Sequence, residues 1–78
     1  MRCTAIIHEE DGAFVAWCPE WDVASQGDTV GVARDNLKEA MELFFEVVPV
    51  DEMEHRRCGN IFVTQIDVVV SPIRNFLP

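Results

Sequence analysis

Fourteen carboxylates, three cysteines and two histidines are the residues of this 78-residue chain whose types could do chemistry. A two-metal hydrolase needs several carboxylates converging on one point, one of them from the middle of a strand. The first strand-like stretch, residues 2–9, holds none before Glu9, and Asp67 stands alone in the last. His8 and His55 lack metal-ligand spacing, and neither has an obvious nucleophile partner. His8 ends a strand beside Glu9 and Glu10 and reads as a solvated side chain. Cys3, Cys18 and Cys58 form no CxxC pair, and an odd count without a secretion signal suits a reducing cytoplasm. Cys3 and Cys18 could face each other across a hairpin, though two small buried apolar residues is the simpler reading. Gly27-Asp28-Thr29 has one glycine and an acid that repels phosphate, so no phosphate loop precedes the helix. The expectation is a protein without catalytic residue, metal or cofactor.

The carboxylates that do form a pattern are Asp35, Glu39, Glu42 and Glu46, and a helix must position them. Val30, Ala33, Leu37, Ala40, Met41, Phe44 and Val48 recur at spacings of three and four, which predicts a helix over residues 30–48 with those acids on its outer ridge. Asp28 or Thr29 supplies the oxygen that caps its first turn, Gly27 lets the chain turn out of the preceding strand, and Pro49 ends it. Residues 2–9, 13–18 and 23–26 read as strands, the first two joined by a turn at Glu10-Asp11-Gly12. Phe14, Ala16 and Cys18 share one face of the second strand; Val15 and Trp17 share the other. Residues 49–60 read as a polar connector. Residues 61–70 read as the last and strongest strand, with Phe62, Thr64, Ile66, Val68 and Val70 facing the helix. Residues 73–78 form a tail.

This order predicts an α+β domain of two layers: a β-β-β-α-β chain with one helix on one face of a mixed four-stranded sheet. Strands one to three form an antiparallel meander. The fourth could join either of its edges through a right-handed crossover. One domain spans residues 1–78. The sheet face away from the helix would show Val15 and Trp17, a larger apolar patch than a monomer usually leaves wet. A homodimer or higher even oligomer would cover it; the competing cover is Ile73, Phe76 and Leu77 of the tail.

The formal net charge of −8 repels phosphates, and Arg56-Arg57 is the only adjacent basic pair, so direct nucleic-acid binding is not expected. No run approaches the ~20 apolar residues of a membrane span, and Met1-Arg2 opens directly into a strand; a cytoplasmic protein is expected. An acidic surface suits a basic partner. Trp21, between Glu20 and Asp22, is either an interface anchor or a cap over the open end of the core.

The run Asp11-Gly12-Ala13-Phe14-Val15-Ala16-Trp17-Cys18-Pro19-Glu20, then Ser25-Gln26-Gly27-Asp28-Thr29, then Asn36-Leu37-Lys38-Glu39-Ala40-Met41-Glu42-Leu43 resembles the HicB antitoxin family. Its members read approximately DGGYVAYCPELPG, SQGDT and NLKEALEL in the same order. The resemblance covers residues 3–46. It implies a degraded ribonuclease-H-like fold with strand order 3-2-1-4. It also implies a role: binding and silencing HicA, a small basic toxin that cleaves messenger RNA. Trp21-Asp22-Val23 and Val30-Gly31-Val32 depart from the family pattern. Many members add a C-terminal DNA-binding domain, for which these 78 residues leave no room, so a transcriptional regulator ranks below two readings: an antitoxin, or a standalone homo-oligomeric module of another ligand. The surface expected to meet a toxin comprises Glu20, Trp21, Asp22, Asp35, Glu39 and Glu42; the surface expected to self-associate comprises Val15 and Trp17.

Overall fold

Asp11-Gly12 sits between two alternating stretches, and both residues take positive φ, 51° and 81°. Two such residues make the tight turn whose twist matches that of the flanking strands. The hairpin they close is β1 (Ile6–Glu10) and β2 (Ala13–Cys18), paired antiparallel with Ile7 opposite Ala16 and Glu9 opposite Phe14. The computed structural model describes residues 1–71, and of Arg56 only the backbone. After β2 the chain turns through Pro19-Glu20-Trp21-Asp22, where the Asp22 amide donates to the Cys18 carbonyl (2.8 Å) and Asp22 takes φ 54°. β3 (Val23–Gly27) then pairs antiparallel with β2, giving a three-stranded sheet of order β1-β2-β3.

The helix α1 (Val30–Val47) follows at once. Thr29 is its cap: the Thr29 hydroxyl accepts from the Val32 amide at 3.0 Å. Asn36 donates to the Gln26 carbonyl at 2.8 Å and ties the second turn to the end of β3. Gly27 serves the fold differently from the expected sharp turn. Its φ lies outside the left-handed region; instead a Cβ there would fall 2.6 Å from the Ala33 amide nitrogen and 2.7 Å from Val32 Cγ1. Glycine is needed because the helix lies directly against the strand. Pro49 ends α1 as expected, and it also starts α2 (Val50–Arg56), whose Met53 amide donates to the Pro49 carbonyl. The connector is therefore partly helical. Asp51 and Glu52 in its first turn suit the positive end of a helix dipole, and Met53 packs on the core.

The core forms where α1 crosses the sheet. Ala16 and Cys18 from β2 meet Ala33, Leu37 and Met41 from α1, and Trp21 closes one end. Trp21 is 7% exposed and lies edge-on to Phe45, ring centroids 4.9 Å apart, and tilted against Phe44 at 5.9 Å. Phe45, which falls outside the expected stripe, is thus a core contact, whereas Val30 at the helix start is half exposed.

The sheet is smaller than expected. β1 begins at Ile6, not Arg2, and residues 61–70 belong to no strand. Phe62 is 87% exposed and Val69 96%. The longest axis of the molecule is 53 Å and its radius of gyration 17.0 Å, against about 11–12 Å for a compact chain of this length. The expected cover of the outer sheet face by Ile73, Phe76 and Leu77 lies outside the described residues.

The two glycines flanking the start of α1 should respond in opposite directions. Gly27→Ala forces the strand and helix apart and lowers stability. Gly31→Ala meets open space, its nearest neighbour being Thr29 Oγ1 at 4.0 Å, and should raise stability by up to about 1 kcal/mol. Denaturant unfolding of both variants at one protein concentration checks this.

Candidate interaction surfaces

The residues expected to meet a partner separate into two groups. Asp35, Glu39 and Glu42 stand exposed along the outer ridge of α1. Asp35 pairs with Arg34 (3.2 Å), and Glu42 with Lys38 one turn before it (3.6 Å). Both pairs are exposed and contribute little to stability. What the ridge offers is an ordered row of carboxylates on a rigid element.

Glu20, Trp21 and Asp22 do other work. The Glu20 carboxylate accepts from the Thr4 amide (2.9 Å), from the Thr4 hydroxyl and from the Cys18 thiol (3.3 Å). It clamps the segment before β1 onto the turn after β2. Partial burial alone would raise its pKa, but the bonds from the Thr4 hydroxyl, the Thr4 amide and the Cys18 thiol outweigh that and hold it down at about 2. Cys18 shows the reverse balance. Burial pushes its thiol up to about 11, the bond to the Glu20 carboxylate adds to the rise, and a backbone bond from Trp21 only partly offsets it. The thiol is therefore held protonated rather than poised as a nucleophile. Trp21 is core, as the capping alternative has it. Asp22 accepts from Trp17 Nε1 at 2.9 Å across the turn.

The outer sheet face carries the residues expected to self-associate. Trp17 is 38% exposed, and its neighbours across the sheet are Ile6 and Ala24; Val15, half-buried, lies opposite His8 and Gln26. His8 sits in solvent against Glu10 (3.3 Å).

Two features have no local sequence signal. One is the clamp, whose partners lie 16 residues apart. The other is an open cleft of about 510 Å³ between the segment before β1 and α1, floored by Cys3, Ala5, Cys18, Leu37, Met41 and Phe45. It exists because α1 packs mainly over β3 and β2 and meets β1 only marginally. Among the described residues no cluster of three or more potential metal ligands forms, and no helix is long and apolar enough to cross a membrane.

Comparison with known proteins supplies one informative relative. The chain is 45% identical over 58 residues to the UPF0150 protein ssl0738 of Synechocystis sp. (strain ATCC 27184 / PCC 6803 / Kazusa), a match covering 72% of this chain and 75% of that protein. The chain belongs to the UPF0150 family. No family profile matches it, and no solved structure does. The clamp, the aromatic end-cap and the acidic ridge are thus features of a UPF0150 chain described from its own geometry.

The clamp has a pH signature. With a folded pKa of about 2 against an ordinary 4.5, Glu20 contributes stability that is complete above the ordinary value and is lost as pH falls through 4.5 towards 2. Glu20→Gln should therefore be less stable than the natural chain at pH 7, and the difference should shrink steadily as pH falls from 4.5 through 2. Thermal melts across that range check it.

Proposed function

We propose that this UPF0150 chain is a non-catalytic, antitoxin-like binding protein that silences a small basic RNA-cleaving toxin of the HicA type. The observation that carries the reading is the exposed row Asp35, Glu39 and Glu42 on a helix held rigidly by its opposite face, in a chain of net charge −8. The resemblance of residues 3–46 to HicB antitoxins supports it. So does the relation between acidic and basic surfaces: a toxin that binds RNA phosphates presents a cationic site, and a ridge of carboxylates can occupy it sterically and electrostatically. The working surface is the ridge. Trp21 and Glu20 support it from within, because their side chains are committed to the core and the clamp.

The ribonuclease-H-like order 3-2-1-4 belongs to the same proposal. Residues 61–70 alternate as a strand should, and the outer edge of β1 pairs with no strand among the described residues. A fourth strand there would complete the sheet. The alternative, a homo-oligomeric module whose ligand is not a toxin, draws on the exposed apolar run at residues 61–70.

Co-expression with candidate small basic toxins of the HicA type, followed by affinity capture, tests the reading directly. The expected result is a stoichiometric complex in which toxin activity is suppressed. Asp35→Lys combined with Glu39→Lys should weaken it at least tenfold at low salt, and added salt should slow association more than it speeds dissociation. An affinity unchanged by the double reversal would remove the ridge from the interface. Failure to capture or inhibit any such toxin would remove the function.

A further inference from the structure

We propose that residues 61–70 form an exchanged strand: the arm of one copy pairs with the outer edge of β1 in a second copy and fills the cleft between the segment before β1 and α1. The inference rests on the fourth-strand reading of the fold, and it meets the acidic ridge at Glu42, which also lines the cleft.

The arm is built to be a strand and is not one here. It is rich in β-branched and aromatic residues, it alternates, and Asp67 is its only charge. Six of its large apolar side chains are exposed, Phe62, Val63, Ile66, Val68, Val69 and Val70. A soluble chain does not leave such a run in water without an occupant for it. Ten residues extend about 33 Å, enough to pair with the five residues of β1 and continue past the segment before it that lines the cleft.

The receiving site is equally specific. β1 is an edge strand of the described sheet, so its outward amides and carbonyls form a template for another strand. The cleft continues from that edge between the segment before β1 and α1: Cys3, Ala5, Leu37, Met41 and Phe45 give it an apolar floor, and Arg34, Lys38 and Glu42 also line it. An added strand would set alternate side chains into it, and Phe62, Thr64, Ile66, Val68 and Val70 are the alternate set.

Within one copy the arm leaves the body without entering the cleft. The Cys58 amide donates to the Glu20 carbonyl at 2.9 Å, which fixes the exit from α2 beside the turn after β2. Phe62 still lines an open pocket with Met1 and Arg2, but none of the arm lines the cleft between the segment before β1 and α1. Reciprocal exchange between two copies satisfies both arms and both edges, closing the assembly as a symmetric pair. At roughly 60–120 Å² of apolar area per side chain, two arms and the cleft walls they cover exceed the ~1,000 Å² of a specific interface.

Sedimentation of the full chain tests this with variants at exposed positions, which leave the body folded. Ile66→Lys with Val68→Lys disables the arm, and Ala5→Arg obstructs the cleft. The natural chain should sediment as a dimer, and each variant alone should weaken dimerisation at least tenfold while its circular dichroism retains the helix. Mixing the two variants should restore a heterodimer, because one keeps an intact arm and the other an intact cleft. A natural chain that stays monomeric at high micromolar concentration would overturn the exchange; protected arm amides in that monomer would show pairing within one copy, and unprotected ones would remove the fourth strand as well. A dimer indifferent to both variants but broken by Trp17→Glu would place the interface on the outer sheet face instead. Variants that fail to complement each other would show arms meeting arms, which also overturns the proposal.

Discussion

One helix cannot cover a whole sheet, and the rest of this structure depends on where α1 is placed. Its 18 residues lie mainly over β3 and β2, with Ala33, Leu37 and Met41 against Ala16 and Cys18. Small residues at Gly27, Ala16 and Ala33 let the backbones approach closely, and that contact sets the orientation of everything outside it. On one flank Trp21, Phe44 and Phe45 stack edge to face and exclude water from the end of the core. Removing an aromatic side chain of this kind costs about 3–5 kcal/mol, a large part of the roughly 4–12 kcal/mol that holds a chain of this length folded. On the other flank nothing equivalent among the described residues fills the space between the segment before β1 and α1, and the cleft remains.

The same placement separates fold from recognition on α1. The inward stripe is spent on the core, so the outward acids contribute almost nothing to stability and are free to serve binding. The turn after β2 makes the opposite use of its polar residues. Glu20 sits where a carboxylate could have met a partner, but three donated hydrogen bonds make it an internal tie between the segment before β1 and the turn. A charged residue flanking a tryptophan looks like an interface in sequence. Here it is the lid of a core and its latch.

Much of this was legible in the chain. Asp11-Gly12 identified the hairpin, a cap at Asp28 or Thr29 together with Pro49 bounded α1 to within a residue, and the alternation of Phe14, Ala16 and Cys18 against Val15 and Trp17 gave the right faces of β2. These are local signals, set by dihedral preference, capping and period. Four features escaped them. α2 has only seven residues, too few to display a helical period. The Thr4–Glu20 clamp and the Trp21 stack join parts of the chain distant in sequence. The partner of residues 61–70 is not encoded in the run itself: alternation marks a strand but is silent on which edge, and in which copy, it pairs. The acidic ridge was legible as a pattern, while its occupant rests on family resemblance.

The proposed fourth strand, residues 61–70, would complete the three-stranded sheet. Amide hydrogen exchange of the full chain, followed residue by residue at low and high protein concentration, tests that most directly. The account predicts that arm amides exchange freely when the chain is dilute and that those facing β1 become protected at high concentration, together with the outward amides of Ile6–Glu10. Arm amides that exchange as fast as an unstructured peptide at every concentration would contradict it.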